Sequence, residues 1–250
     1  MEDEPVIKVQ DLSAGYGDKP LMEKVNFTVK RGEVFVILGG SGCGKSTLLK
    51  NLIGLLPPLA GTVSINGEDL TAAAGEDRQK ILRHIGVGYQ SGALFGSMSL
   101  AENIMLPLEE FTNLPAEARE AIAWTKLKLV GLENFTGHLP AEISGGMQKR
   151  AAIARAMALD PAVLFLDEPS AGLDPVTSAE LDALILKLRD SLGVTFVIVS
   201  HELASIYAIA DRVIMLDKDK KGILAEGRPQ ELRDHSKDPF VHKFFHREAE

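Results

Sequence analysis

The stretch Gly39-Gly40-Ser41-Gly42-Cys43-Gly44-Lys45-Ser46 decides the fold of this 250-residue chain. It matches the pattern G-x-x-x-x-G-K-[ST] and lies between a continuous apolar run, Val34 to Leu38, and a predicted helix from about Ser46 to Leu55. Glycines allow successive backbone N–H groups to turn inward around phosphate oxygens, and the helix adds the positive end of its dipole. Lys45 is then expected to reach the β and γ phosphates, Ser46 to bind Mg²⁺ and Thr47 to contact the α phosphate. Residues 39 to 47 are therefore predicted to hold a nucleoside triphosphate.

A pair of carboxylates narrows the chemistry, because a phosphate loop alone fits kinases, GTPases and many ATPases. The apolar run Val163 to Leu166 leads directly into Asp167-Glu168. Acidic residues at the end of a buried strand are costly unless they face a cation or a polar cleft. Asp167 is expected to hold Mg²⁺ through water, and Glu168 to polarise the attacking water as general base. The alternative is that both carboxylates cap a loop before Pro169. The chain has no [NT]KxD sequence that would read guanine, so ATP is the expected nucleotide.

The hydrophobic pattern places these motifs in a mixed α/β fold. Alternating apolar residues near the start indicate antiparallel strands, and Asn66-Gly67 after the strand Thr62 to Ile65 is a strong hairpin signal. Between about Ser97 and Leu159 the period becomes helical, and afterwards strands alternate with helices, which is typical of a parallel sheet. We expect one domain, residues 1–250, comprising a nucleotide-binding core (1–89 and 159–228), a helical subdomain (90–158) and a carboxyl-terminal tail (229–250).

Composition excludes several classes of protein. The formal net charge is −8, so no basic field is available for nucleic acid, and none is expected as a partner. The single cysteine cannot form an internal disulfide, and Met1 to Glu4 has no feature of a secretory signal. No run approaches the roughly 18 apolar residues of a membrane-spanning helix. The sequence therefore predicts a cytosolic chain that another subunit anchors if it works at a membrane.

A third motif gives a family resemblance. Ile143-Ser144-Gly145-Gly146-Met147-Gln148, which precedes the Asp167-Glu168 strand, resembles the signature motif of the ATP-binding cassette (ABC) family. The likeness extends from Tyr16 to His201, with the motifs in the family's order. It implies a P-loop, RecA-like ATPase core with an antiparallel β subdomain and an inserted helical subdomain. It also implies a homodimer in which Ser144, Gly145 and Gly146 of one chain contact the γ phosphate held by Lys45 of the other.

The same resemblance assigns roles to further residues. Gln90 matches the glutamine that senses Mg²⁺ and the attacking water, and His201 matches the switch histidine that contacts the γ phosphate. Tyr16 matches the aromatic residue that stacks on adenine, and the segment from Ser170 to Asp174 looks like the loop that crosses the dimer interface. The alternatives are that His201 is a helix cap and that Tyr16 is a packing residue.

Residues beside Gln90 indicate which group of ABC ATPases the chain resembles. The segment Gln90 to Met98, together with Ser-Gly-Gly-Met-Gln-Lys-Arg, resembles the ATPase subunit of Mla-type phospholipid transporters. That likeness implies an integral membrane permease, a periplasmic MCE-domain lipid-binding protein and a peripheral location at the cytoplasmic face of the inner membrane. Rival interpretations are an importer ATPase for another small solute, a soluble ABC ATPase without a permease, and a P-loop kinase.

Three smaller features carry open alternatives. The Cys43 thiol lies near a helix N-terminus, where its pKa is expected to fall and where its alkylation is expected to block ATP binding. The alternative is that Cys43 is a small residue that fills space at a permissive position. Residues Ala93 to Phe95 are expected either to receive a short permease helix or to pack within the helical subdomain. The tail carries an apolar stripe that docks either on the partner subunit or on its own chain, consisting of Phe240, Val241, Phe244 and Phe245.

Overall fold

A computed structural model describes residues 5–17 and 19–248. Residues 1–4, on which the expectation about a secretory signal rests, lie outside the described part, as do residues 249–250 of the predicted tail. The strands are β1 Ile7–Tyr16, β2 Lys19–Val29, β3 Val34–Gly39, β4 Ala60–Ile65, β5 Glu68–Asp69, β6 Ile85–Gly88, β7 Val163–Asp167, β8 Thr195–Val199, β9 Arg212–Asp217 and β10 Gly222–Gly227. The helices are α1 Lys45–Leu52, α2 Gly75–Leu82, α3 Leu100–Phe111, α4 Ala116–Leu129, α5 Gly145–Ala156, α6 Pro175–Leu192, α7 Leu203–Ile209, α8 Pro229–His235 and α9 Pro239–His246.

The first sheet is antiparallel, in the order β2-β1-β4-β5. Its β4–β5 hairpin turns at Asn66 and Gly67, whose φ angles are 52° and 82°. Two consecutive positive φ angles are what a type I′ turn requires, and this turn matches the twist of the flanking strands. The hairpin expected from the sequence is therefore confirmed.

The second sheet positions the predicted chemistry. Its order is β10-β9-β3-β8-β7-β6, and all neighbouring pairs are parallel except β9 with β10. Parallel strands bring their carboxyl ends to one edge of a sheet, where ligands bind in open α/β folds. At this edge β3 leads into the phosphate loop, β7 into Glu168 and β8 into His201. The mixed α/β architecture expected from the sequence is confirmed.

Strand β3 joins two hydrophobic cores. All six of its residues are buried, and successive side chains point to opposite faces of the sheet. Phe35 and Ile37 face the antiparallel sheet and α1, whereas Val36 and Leu38 face a core built with α3, α5 and α6. A strand covered on both faces needs apolar residues at every position, which explains the continuous run in the sequence.

The chain from α3 to α5 is helical, as the sequence predicts. Helix α3 begins with a capping box, in which the Ser99 hydroxyl accepts from Glu102 N–H and the Glu102 carboxylate accepts from Ser99 N–H. Helix α4 presents Trp124 on its exposed face, with the Lys128 ammonium 4.7 Å from the ring centroid. Within the described residues, no helix is long and apolar enough to cross a membrane.

The tail helix α9 folds back on its own chain. The Asp238 carboxylate caps it by accepting from the N–H groups of Phe240 and Val241. Val241 and Phe245 are buried in the core on the α3 side of the large sheet, whereas Phe240 remains exposed. Of the two alternatives for the apolar stripe, packing within the same chain therefore accounts for its buried half.

Candidate functional site

The phosphate loop connects β3 to α1 and depends on glycine. Gly39, Gly42 and Gly44 have φ angles of 146°, 77° and 100°, which side chains with a Cβ rarely adopt. A Cβ on Gly39 would lie 2.5 Å from the Cys43 sulfur and 2.5 Å from a main-chain oxygen of β9. The loop therefore has the backbone conformation of an anion-binding nest at a helix N-terminus.

Four side chains lie at the start of α1: Tyr16, Lys45, Ser46 and Thr47. The Lys45 ammonium donates to the carbonyls of Gly39 and Gly40 at 2.8 and 3.0 Å, so it lies across the loop. Tyr16 is 54% exposed, and the neighbouring Thr47 hydroxyl, followed by Lys50, lowers the pKa of its phenol. An exposed aromatic ring beside the first turn of α1 is free to stack on a base. Ser46 is also exposed, whereas Thr47 is buried.

Glu168 and His201 meet at the end of the parallel sheet. Nδ1 of His201 donates to Oε1 of Glu168 across 2.7 Å. Glu168 has a positive φ of 47°, and its backbone N–H donates to Val199 O at 2.8 Å. A left-handed conformation is strained for a side chain with a Cβ, and such strain concentrates at functional sites. The carboxyl ends of β7 and β8 thus hold the Glu168 carboxylate against the His201 imidazole.

Asp167 and Gln90 line an open cleft of about 550 Å³ next to this pair. Burial, and then the charge of Glu168, raises the pKa of the Asp167 carboxyl, while Lys45 and Lys149 oppose the rise. Two neighbouring carboxyls and an exposed amide oxygen are hard donors of the kind that Mg²⁺ prefers. The donor set of Ser46, Gln90 and Asp167 fits a divalent cation, whose charge would offset the burial and the repulsion that raise the pKa of Asp167.

The signature residues lie apart from this group. Ser144 caps α5 by accepting from Met147 N–H, and Ser144 and Gly145 are exposed. A Cβ on Gly146 would lie 2.5 Å from the Thr177 methyl of α6, so the close packing of these helices requires glycine there. Ser144, Gly145 and Gly146 form what is called the signature turn below. Within the described residues, this turn lines neither the cleft that contains Gln90 and Asp167 nor a second cleft that contains Glu168 and His201.

The Cys43 thiol departs from the sequence-based expectation. Its side chain is buried, and this burial raises the pKa of the thiol, outweighing the opposing charge of Lys45. The expectation that the helix N-terminus lowers this pKa is wrong, because removal of the thiolate from water outweighs the favourable electrostatics. Cys43 fills space against Gly39 within the loop.

The tail helix forms one wall of a larger cleft. This cleft of about 820 Å³ is lined on one side by Glu168, His201 and the segment 170–173, and on the other by residues of α9 that include Phe240 and Phe244. Phe240 also reaches the phosphate loop, where its ring lies 3.6 Å from the position of a Cβ on Gly40. The exposed half of the apolar stripe is therefore adjacent to the predicted chemistry.

Sequence analysis missed three side chains at this site. Lys149 donates to the main-chain oxygen of Gln90, and Arg155 donates to that of Ala93. Asp182 is a buried carboxyl on α6, behind the loops that follow β7 and β8. In the sequence, only the position of Asp182 next to the apolar residues of α6 that become buried could have indicated its burial. A contact with a carbonyl oxygen leaves no residue-type pattern, so the sequence did not indicate these contacts of Lys149 and Arg155, although Lys149 lies in the quoted segment Ser-Gly-Gly-Met-Gln-Lys-Arg.

Comparison with known proteins identifies the family. The sequence profile of the ABC transporter family matches residues 22–171. The chain is 37% identical over 227 residues to MlaF of Haemophilus influenzae, the ATP-binding protein of an intermembrane phospholipid transport system, which covers 91% of this chain and 85% of that protein. It is 41% identical over 238 residues to mkl of Mycobacterium tuberculosis, a probable ribonucleotide transport ATP-binding protein, which covers 95% of this chain and 66% of that protein.

A solved structure gives the assembly of a similar chain. The dimeric ATP-binding cassette MJ0796, bound to ADP and phosphate in a post-hydrolysis state, superposes with a TM-score of 0.77 at 32% identity. The match covers 89% of this chain and 98% of that one. The similarity therefore extends over both the sheet that carries the phosphate loop and the helices that carry the signature turn.

Proposed function

The chain belongs to the ABC transporter family, and on that premise we propose that it is the ATPase subunit of a transporter that moves phospholipid between the inner and outer bacterial membranes. As a member of this family it is an ATPase that works as a dimer with a membrane permease. The substrate is argued from the similarity to MlaF, which spans most of both proteins. We assign residues 1–89 and 159–228 to the nucleotide-binding core, 90–158 to the helical subdomain and 229–250 to the tail.

Hydrolysis is proposed to depend on the contact between Glu168 and His201. Their 2.7 Å hydrogen bond is the observation that carries this assignment. This hydrogen bond holds the carboxylate in one orientation, in which the second oxygen would accept a proton from water. Glu168 then acts as general base, and His201 contacts the γ phosphate. Lys45 leaves its carbonyl partners to contact the β and γ phosphates, and Tyr16 stacks on adenine.

Mg²⁺ would be held by Ser46, Asp167 and Gln90. When bound, the cation neutralises charge that develops on the phosphate oxygens. Gln90 and Asp167 line the same cleft, which supports a role of the Gln90 side chain in contacting both the cation and the attacking water. Residues 39–44 contribute backbone N–H groups to the remaining phosphate oxygens.

A second copy of the chain completes the site in this proposal. Ser144 and Gly145 are exposed at the N-terminus of α5, where Gly146 follows as a buried residue and where backbone N–H groups and the helix dipole favour an anion. Because they lie outside the clefts of their own chain, the anion they contact belongs to the partner's nucleotide. ATP binding then closes the dimer through charge-assisted contacts, and hydrolysis removes them.

The permease is proposed to dock beside α3. An apolar groove of about 420 Å³ lies between α2, β6, α3 and α5, and Phe111 and Pro107 form part of its wall. Phe95 is 51% exposed, and its ring centroid lies 5.9 Å from the guanidinium of Arg155, which lines this groove. The buried Asn103 amide holds the Phe95 backbone at both N–H and C=O. A rigid apolar ring is suited to a short permease helix. This placement puts the chain at the cytoplasmic face of the inner membrane, with an MCE-domain protein on the periplasmic side.

Substitution of Glu168 tests the catalytic assignment. Glu168→Gln should bind ATP with unchanged affinity, lose hydrolysis by about 100-fold or more and accumulate closed dimers, because the amide cannot accept the proton. Glu180→Gln, an exposed change on α6, is the matched control and should behave as wild type. Turnover in Glu168→Gln equal to that of the control would remove Glu168 from the role of base.

Purification of the native complex tests the transport assignment. The complex is extracted in mild detergent, its membrane subunits are identified by mass spectrometry, and bound lipids are extracted and quantified. Phospholipid at stoichiometric amounts together with an MCE-domain protein supports the proposal. The similarity to mkl favours a second candidate, transport of ribonucleotides. A complex that lacks lipid and whose ATPase activity is stimulated by ribonucleosides would favour that candidate.

A further inference from the structure

Helix α5 contacts the turn that contains Gln90 through two basic side chains, Lys149 and Arg155. Residues 89–92 form a tight turn, in which Gly92 N–H donates to Tyr89 O at 2.8 Å. Lys149 of α5 donates to the carbonyl of Gln90 itself, at the beginning of this turn. The ammonium of Lys149 is partly buried between the turn and the carboxylates Asp167 and Glu168.

The second contact is at the other end of the turn. Nη1 of Arg155 donates to Ala93 O at 2.7 Å, and Nη2 lies 3.4 Å from Gly92 O. Ala93 and Gly92 have φ angles of 47° and 73°, so their carbonyls point in directions that an extended segment would not give. Charge-assisted hydrogen bonds are stronger than neutral ones, and these two join the same helix to both ends of one short turn.

The same helix begins at the signature turn. Ser144 is the N-cap of α5, while Lys149 and Arg155 lie in its second and last turns. An α-helix is a rigid element, so a displacement of its N-terminus is transmitted to groups bound farther along it. The turn of Gln90 packs directly on α5, since a Cβ on Gly92 would lie 3.8 Å from Ala152.

We propose that Lys149 and Arg155 are positioning residues that fasten the Gln90 turn to α5, so that Gln90 moves with the signature turn of its own chain. This inference rests on the proposed function, because it takes the roles of Gln90 and Ser144 from there. Engagement of Ser144 by the partner's nucleotide then sets the position of Gln90 in the other site of the dimer. Lys149 and Arg155 each act through the main chain of the turn.

A double-mutant cycle on the full-length chain tests whether Lys149 and Arg155 position Gln90 in this way. The two contacts that join the turn to α5 are called the tether below. Steady-state ATPase activity is measured for Lys149→Met, Gln90→Ala and the double variant, with ATP affinity measured separately by calorimetry. Lys149→Met should lower kcat by about 10-fold and change KM for ATP by less than about 2-fold, because a misplaced catalytic group slows chemistry without weakening binding. In the Gln90→Ala background, Lys149→Met should cause no further loss, because the group it positions is gone.

Two further variants separate positioning from general packing. Lys149→Arg keeps a cationic donor and should restore at least half of wild-type kcat. Lys187→Met, an exposed change on α6, is the matched control and should behave as wild type. Arg155→Met provides an independent cycle if Lys149→Met does not fold, and it should likewise be silent in the Gln90→Ala background.

The outcomes distinguish the tether from the role of Gln90. If Gln90→Ala retains full activity, the proposed role of Gln90 fails, and this inference fails with it. If Gln90→Ala is impaired but Lys149→Met and Arg155→Met each cause an undiminished further loss, only the tether is wrong. Non-additive losses together with rescue by Lys149→Arg support the tether.

Discussion

Asp182 gives the prediction whose magnitude follows most directly from the structure. The carboxyl is 8% exposed on α6, where it lies behind the loops that follow β7 and β8. Burial, opposed by a hydrogen bond from Ser205 and reinforced by the charge of Glu202, raises its pKa from 3.8 to about 6. Among the described residues, no cation lies within ion-pair distance of it.

This shift makes ionisation of Asp182 a cost to the folded state. The folded chain favours the protonated form, so the cost begins as the pH passes the unfolded pKa near 3.8 and is complete above the folded value near 6. A difference of about 2 pKa units corresponds to about 3 kcal/mol at pH 7.5. At pH 4.5 the same linkage relation leaves a cost of about 1 kcal/mol.

Urea unfolding of Asp182→Asn at two pH values measures this cost. The amide cannot ionise, so the variant should gain about 2 kcal/mol relative to wild type when the pH is raised from 4.5 to 7.5. The comparison between pH values cancels any fixed effect of the amide on packing. Glu180→Gln, exposed on the same helix, should give the same small difference at both pH values. An equally constant difference for Asp182→Asn would refute the reasoning.

Three further predictions concern packing and the phosphate loop. Phe245→Ala should lower the free energy of unfolding by about 3 to 5 kcal/mol, whereas Phe240→Ala, on the exposed side of α9, should cost much less. Gly39→Ala should abolish ATP binding in calorimetry, because its Cβ would collide with the Cys43 sulfur, while Gly137→Ala meets no neighbour. Iodoacetamide should modify Cys43 far more slowly than free cysteine at pH 7.5 and not at all with saturating ATP, and loss of ATP binding should accompany the modification.

The elements that the sequence predicts well are those in which local pattern and tertiary role agree. The continuous apolar run Val34 to Leu38 and the Asn66-Gly67 turn each specify one structure, and both are present. The loop that joins β3 to α1 is likewise specified by glycines whose φ angles no other residue adopts easily. In such cases the physical requirement is visible in residue type alone.

Helix α2 and strand β6 are among the elements that were not predicted, for physical reasons that differ. Helix α2 buries only Ile81, so it shows no apolar stripe and is held by its neighbours. Strand β6 reads Ile85-Gly86-Val87-Gly88, and glycine is unfavourable in strands. The structure explains the first glycine, since a Cβ on Gly86 would lie 2.1 Å from Ala156 O of α5. Close approach of a helix backbone, which no local pattern reports, selects this residue.

The grouping of the candidate site was only partly predictable. Glu168 and His201 are adjacent because β7 and β8 are neighbours in the sheet, and this strand order was not predicted from the sequence. The contacts of Lys149 and Arg155 with carbonyl oxygens could not be foreseen, because every residue has a carbonyl. The burial of Cys43 was also hidden, since it depends on the packing of Gly39 and β9 around the loop.

The position of Trp124 has a practical consequence. It is the only tryptophan in the sequence, and it lies half exposed on α4 beside the Lys128 ammonium. Indole emission is sensitive to hydration and to a nearby positive charge, so intrinsic fluorescence of the chain reports on this one helix. Spectral shifts on addition of nucleotide would follow rearrangement of the signature-bearing region in real time, without any attached dye.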